Sequence, residues 1–206
     1  MVMSTAGAPL KLPVMKPLLP SASAIDPYLR TMNENQVYSN RGPLVRSLES
    51  RLATFLGVAE EQVVVCSSAT QALIGTCSLM DASTVQVPSF TFAATAHAVK
   101  NAGKAIRLVD VAYETWIAEF SDVEAANDDA LLAVLPFGAG LLSVAGLRSD
   151  PRPLVIDAAA SLGHPDMRCM ELREQETVVF SLHATKVLGI GEGGVAVFGS
   201  VERAEM

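Results

Sequence analysis

The residues with the most chemistry in reach lie late in the chain: Phe180-Ser181-Leu182-His183-Ala184-Thr185-Lys186, followed by Gly191-Glu192-Gly193-Gly194. Val178 to Phe180 reads as a buried strand, so Lys186 follows its exit by one short polar turn. An amine there can condense with a carbonyl to form a Schiff base. Upstream, Leu154-Val155-Ile156-Asp157-Ala158-Ala159 is a second apolar strand ending in a carboxylate. A carboxylate in that setting is either costly or partnered, and open α/β sheets bind ligands beyond the carboxyl ends of their strands. Each residue also has a plainer use. Asp157 can cap a helix started by the alanines, Lys186 can be solvated, and the glycines can be only a tight turn.

Two earlier segments fit the same picture. In Val63-Val64-Val65-Cys66-Ser67-Ser68-Ala69-Thr70-Gln71-Ala72-Leu73 a strand ends, serines turn the chain and a helix begins. Free N–H groups and the positive end of the helix dipole make that start an anion site, best matched to a phosphate. Ser68 and Thr70 can also be simple helix caps. In Pro88-Ser89-Phe90-Thr91-Phe92-Ala93-Ala94-Thr95 an aromatic ring can lie over a planar cofactor, or Phe90 and Phe92 can pack into the core. His183 can donate a hydrogen bond near Lys186 or serve structure alone. His97 and His164 carry no motif.

The elements that position these residues are legible. Strands are expected at Gln62 to Cys66, Thr84 to Val87, Ile106 to Val109, Leu131 to Leu135, Leu154 to Ile156, Val178 to Phe180 and Val195 to Phe198. Helices are expected at Ile25 to about Asn33, Pro43 to Leu56 with Gly57 as its cap, Thr70 to Met80, and Phe92 to Ala102. Continuous apolar strands between helices indicate a mostly parallel sheet covered on both faces. The Gly-rich loop before Val195 is too short for a helical crossover, so the last strand should run antiparallel to its predecessor.

Composition bounds the rest. The 206 residues are 50% hydrophobic and 18% charged, which describes a globular chain. A net charge of -7 with no Lys/Arg cluster argues against a nucleic-acid surface. No apolar run approaches the roughly 20 residues of a membrane span, and Lys11, Pro13, Lys16, Pro17 and Pro20 interrupt any signal-like stretch. Cys66, Cys77 and Cys169 are odd in number and lack metal-ligand spacing. They read as reduced thiols of a cytoplasmic protein, with Cys66 a small core residue. Residues 1–24, rich in Pro, Ser and Ala, are expected to form an extended arm, and residues 25–206 one cofactor-binding domain.

Phosphate anchor, aromatic ring, carboxylate and lysine follow in that chain order, each at a strand exit. Together they match what pyridoxal phosphate requires: the lysine holds the aldehyde, and the aspartate keeps the pyridine nitrogen protonated so that the ring can act as an electron sink. In that order the chain resembles the DegT/DnrJ/EryC1/StrS aminotransferases from about Leu12 to Phe198. The resemblance rests on Ser39-Asn40-Arg41-Gly42-Pro43, Ser68-Ala69-Thr70-Gln71-Ala72-Leu73, Pro88-Ser89-Phe90-Thr91-Phe92, Asp157-Ala158-Ala159, and the stretch Ser181 to Lys186 with Gly191 to Gly194.

The resemblance implies a type I pyridoxal phosphate transferase large domain, α/β, with a mostly parallel seven-stranded sheet flanked by helices. It implies that Lys186 and Asp157 are catalytic, that Ala69, Thr70 and Ser181 hold the phosphate, and that Phe92 stacks on the ring. The implied reaction moves an amino group from an amino acid, glutamate, to a nucleotide-linked keto sugar, in a homodimer. Lysine where sugar-dehydrating relatives carry histidine favours transamination. Tyr38 to Pro43 resembles members acting at C4 of a dTDP-linked deoxysugar. Two departures stand out. Ala160 replaces the Gln or His found beside the cofactor's phenolic oxygen, so that bond is missing or comes from a neighbour such as Ser161. The smaller C-terminal domain of the family is expected to be absent, which leaves as an alternative a catalytically idle remnant that binds at most cofactor or a partner chain.

Overall fold

A computed structural model describes residues 16–120 and 129–206. Among the described residues, seven strands form one sheet: β1 (Val63–Cys66), β2 (Thr84–Pro88), β3 (Ala105–Val109), β4 (Asp129–Val134), β5 (Leu154–Asp157), β6 (Glu176–Ser181) and β7 (Gly194–Phe198). Their spatial order is β1-β7-β6-β5-β4-β2-β3. The pairs among β2 to β6 are parallel, and β7 runs antiparallel to both β6 and β1, as the short loop before it requires. The helices are α1 (Ala22–Asn35), α2 (Pro43–Leu56), α3 (Ala69–Ser78), α4 (Ala93–Asn101) and α5 (Val201–Glu205).

Both faces of the sheet are covered. Val155, Val179 and Ala196 pack with residues of α3 and α4 on one side. Ile156, Val178, Phe180, Val195 and Val197 pack with Leu52, Ala53 and Leu56 of α2 on the other. This alternation is the period-two geometry of a strand. It determines which face each functional strand-end residue reaches.

The helix starts follow local chemistry. Pro43 opens α2, and Gly57 closes it at φ 70°, its N–H bonding the Ala53 carbonyl at 2.8 Å. A side chain at Gly57 would also bring its Cβ to 2.8 Å from Cys169 Cα, so both conformation and space demand glycine. The first helix begins at Ala22 rather than Ile25, because Ser21 caps it by accepting from the Ala24 N–H at 3.3 Å. Pro27 therefore lies inside the helix and not at its start. The expected arm is ordered helix from Ala22, and its residues 1–15 lie outside the described ones. Cys66 is only half-buried.

One buried carboxylate, not singled out by the sequence reading, ties α2 to the edge of the sheet. Glu49 is 1% exposed. It accepts from the Val65 N–H of edge strand β1 at 3.1 Å and from Arg41 Nε at 2.9 Å. Glu49→Ala leaves that part-buried N–H without its acceptor and is expected to cost about 1–3 kcal/mol in urea unfolding. Glu49→Gln should recover most of the loss, because its amide oxygen still accepts from Val65 and the Arg41 contact is exposed. Equal losses in the two variants would show that the Val65 bond contributes nothing.

Candidate active site

Register brings the functional residues to one end of the sheet. Ser181 of β6 and Cys66 of β1 both lie opposite Gly194 of β7, and Asp157 of β5 lies opposite Val179 of β6. Asp157 follows Val155 by two residues, and Ser181 follows Val179 by two. Both therefore project to the sheet face covered by α3 and α4.

The start of α3 rests directly on this row. A Cβ at Gly194 would fall 2.3 Å from the Ser68 carbonyl carbon and 2.4 Å from the Ala69 nitrogen. Only a hydrogen at Gly194 lets the helix sit that close to β7. Ser68 is the N-cap: its Oγ accepts from Gln71 N–H at 3.2 Å and its carbonyl from Ala72 N–H at 3.0 Å. Among the described residues, the Ala69 and Thr70 N–H groups have no acceptor, leaving two donors at the positive end of the dipole. Capping and anion binding are thus complementary uses of one turn. Ser181 Oγ accepts from His183 N–H at 3.2 Å and keeps its own proton to donate.

The chain after Asp157 makes turns and not an α-helix, so its carboxylate does not cap one. It is 6% exposed. Its Oδ1 accepts from Ala159 N–H at 3.1 Å within a turn, and its Oδ2 accepts from Thr95 Oγ1 at 2.7 Å. Thr95, fully buried on α4, lies 2.7 Å from Thr91 Oγ1. With Asp157 ionised, Thr95 must give its proton to the carboxylate, so Thr91 donates to Thr95. Burial pushes the Asp157 pKa up, while the Thr95 hydroxyl, the Ala159 N–H and the Lys186 charge pull it down. Cys77, buried on α3, has its thiol pushed up to about 12 by burial and is inert as a nucleophile.

Lys186 sits in a loop shaped by its own backbone. Its N–H bonds the His183 carbonyl at 2.8 Å, and Ala184 N–H reaches Gly191 O at 2.8 Å. Among the described residues its ammonium makes no hydrogen bond or ion pair, so the amine is available. His183 Nδ1 lies 2.8 Å from Thr185 Oγ1, and its Nε2 is 3.5 Å from Glu192, a mainly local role. Phe92 does not enter the core: it is the N-cap residue of α4 and 80% exposed.

Ala69, Thr70, Phe92, Asp157, Ser181 and Lys186 all line one cavity of about 500 Å³. A second cavity of about 400 Å³ shares Phe92, Asp157, Ala159 and Lys186 with it. Ser161 does not compensate for Ala160: its hydroxyl is fully buried, lines neither cavity and has no partner among the described residues. Thr95 was missed. Its only sequence signal is the four-residue spacing of Thr91 and Thr95 at a helix start, which places both on one face.

The fold is that of the large domain of a pyridoxal phosphate transferase. A sequence model of the DegT/DnrJ/EryC1/StrS aminotransferase family matches residues 21–206, and the chain belongs to that family. Pyridoxal phosphate is the cofactor of this family. The chain is 31% identical over 199 residues to the dTDP-4-amino-4,6-dideoxy-D-glucose transaminase of Shigella dysenteriae, covering 93% of this chain and 54% of that protein. It superposes on DesI, crystallised with its TDP-sugar product, with a TM-score of 0.75 at 28% identity, covering 92% of this chain and 50% of DesI. A putative pyridoxal phosphate-dependent aminotransferase from Bacillus cereus shares the fold with a TM-score of 0.81 at 22% identity, covering 93% of this chain and 55% of that one. The chain thus spans about half the length of the relatives it matches.

Because burial raises the Asp157 pKa, folding favours its protonated form. That contribution is fully present below the ordinary carboxylate range and is lost as pH rises through the raised value. The cofactor-free chain should therefore lose stability relative to Asp157→Asn across this window, in urea unfolding at a series of pH values. Thr95→Val, which removes a compensating donor, should move the loss to higher pH, and Thr95→Ser should restore it. A difference independent of pH would mean that Asp157 folds without an electrostatic cost.

Proposed function

We propose that this chain is the cofactor-binding part of an aminotransferase that moves an amino group from glutamate to a nucleotide-linked keto sugar. The observation that carries the proposal is the meeting of a buried carboxylate, a helix N-terminus with free donors and an available lysine around one cavity. The donor set fits pyridoxal phosphate. The Ala69 and Thr70 N–H groups and the Ser181 hydroxyl would receive the phosphate. The Asp157 carboxylate would face the pyridine nitrogen, and Phe92 would cover the ring.

When bound, the cofactor supplies an electron sink and an amino-group carrier. The chain's own work is to bind, orient and move protons. Lys186 would hold the aldehyde and then act as the acid–base group that moves the proton between the two reacting carbons. The Thr95 hydroxyl, itself bonded to Thr91, holds the Asp157 carboxylate in place and favours its ionised form. Glutamate leaves as its 2-oxo acid, and the sugar carbonyl becomes an amine, so nitrogen and electrons balance. We place the enzyme in the cytoplasm as a homodimer. Its free cysteines agree with a reducing compartment. Among the described residues, no helix is long and apolar enough to cross a membrane.

The test is covalent capture. The chain is mixed with pyridoxal phosphate, reduced with borohydride and mapped by peptide mass spectrometry. Label is expected on the peptide containing Lys186, and Lys186→Ala should remove it without loss of fold. A folded chain that labels elsewhere, or not at all, would rule the assignment out.

A further inference from the structure

We propose that Asp166 is a positioning residue. Its carboxylate, oriented by His164, staples the loop after β4 to the loop after β5 and so sets where Phe137 and Ala160 stand at the cofactor site. The inference rests on the cofactor reading of that site, although Asp166, His164 and Gly140 line neither of its cavities.

The loop after β4 needs an acceptor that it does not carry. It passes Phe137 and enters a run of 3₁₀ turns, Leu141–Ser149, whose N-cap residue is Gly140 and offers no side chain. Asp166, from the loop after β5, supplies one across 24 residues: its Oδ2 accepts from the Leu142 N–H at 2.9 Å. The Leu141 N–H donates to the same carboxylate. These are the free donors of a helical start, met here from another loop.

The surroundings are built for the contact. A Cβ at Gly140 would fall 2.5 Å from Asp166 Oδ1 and 2.5 Å from His164 Cε1. Gly140 has φ -85°, which any residue adopts, so space alone demands glycine there. His164 Nδ1 lies against Asp166 Oδ1. An ionised carboxylate only accepts, so Nδ1 carries the proton of that bond. Burial pushes the Asp166 pKa up, but the Leu142 N–H, His164 and the Leu141 N–H together bring it below the usual carboxylate value. The carboxylate is therefore ionised at neutral pH.

The staple acts on the site through the backbone. The loop after β4 is tied at its start by the Leu135 N–H, which bonds Asp157 O at 2.9 Å, and again at Leu142 by Asp166. Phe137 lies between these ties at φ 55°, a left-handed value that a bulky residue keeps only when its surroundings hold it. Beside it the two loops meet once more: a Cβ at Gly138 would lie 3.1 Å from Ala160 O. Phe137 and Ala160 line the cavity of about 400 Å³ that also holds Asp157 and Lys186. Releasing Leu142 frees one end of this segment and lets Phe137 leave its strained position.

Trp116 is the chain's single tryptophan and meets Phe137 edge-on at 6.4 Å, so its emission reports where Phe137 stands. Four variants are compared with the parent: Asp166→Ala, Asp166→Asn, Gly140→Ala, and Gly140→Ala combined with Asp166→Ala. Trp116 emission and thermal unfolding are read without cofactor. The pyridoxal phosphate concentration that half-saturates borohydride capture at Lys186 is read separately. Asp166→Ala should shift the emission and raise that concentration about three- to tenfold, the worth of one net hydrogen bond, with unfolding still cooperative. Asp166→Asn keeps an acceptor for Leu142 and should recover most of both changes. Gly140→Ala should reproduce them by displacing the carboxylate, and should add nothing to Asp166→Ala, where the clash is gone.

The proposal is overturned if Asp166→Ala matches the parent in emission and capture, or if Asp166→Asn does no better than alanine. It is overturned equally if Gly140→Ala does the same harm with and without Asp166, or if Asp166→Ala no longer unfolds cooperatively, because the carboxylate would then hold the fold and not the loop. Absence of capture at Lys186 in the parent would instead strike the cofactor reading, and the emission of the cofactor-free chains would still decide whether Asp166 sets Phe137.

Discussion

A carboxylate taken out of water has to be met by donors or by a cation, and the arrangement around Asp157 follows from that requirement. Its position at the end of β5, two residues beyond Val155, sends it to the face covered by α3 and α4. There it receives the Thr95 hydroxyl and the Ala159 N–H, one to each oxygen. Two hydrogen bonds reduce the desolvation cost without cancelling it, and the folded chain keeps a raised pKa. A protonated pyridine nitrogen would supply the missing counter-charge. The apo site is thus destabilised in the direction that cofactor binding corrects, and breaking such a buried pair typically costs about 3–5 kcal/mol.

The other parts of the site depend on how closely the elements approach one another. Gly194 removes the side chain that would push α3 off β7, which places two free N–H groups beside the Ser181 hydroxyl. Glu49 does comparable work at the sheet edge, joining α2 to the strand that leads into Ser68. Neither residue need touch a ligand. Each sets where a donor stands, and misplacement by about 1 Å can cost a hundredfold in rate.

Much of this was readable from residue order. Alternating apolar runs located all seven strands to within two residues at each end, since buried parallel strands leave continuous hydrophobic stretches. The short glycine loop disclosed the antiparallel β7. Lys186 and Asp157 stood out because polar residues at the ends of apolar strands need a reason to be there. Thr95 and Glu49 did not, because a threonine or glutamate inside a helical pattern looks solvated until tertiary packing buries it. Ser161 misled for the converse reason: adjacency in sequence to Ala160 did not bring its hydroxyl to the cavity. The start of α1 moved because Ser21, inside a Pro-rich stretch, turned out to be its cap.

On the proposed reading, Asp157 holds a protonated ring nitrogen. The most direct measurement is the nitrogen-15 chemical shift of pyridoxal phosphate labelled at its ring nitrogen and bound to the chain at neutral pH. The shift of a protonated pyridine is expected in the parent chain and that of an unprotonated one in Asp157→Asn. An unprotonated nitrogen in the parent chain, with cofactor bound at Lys186, would contradict it.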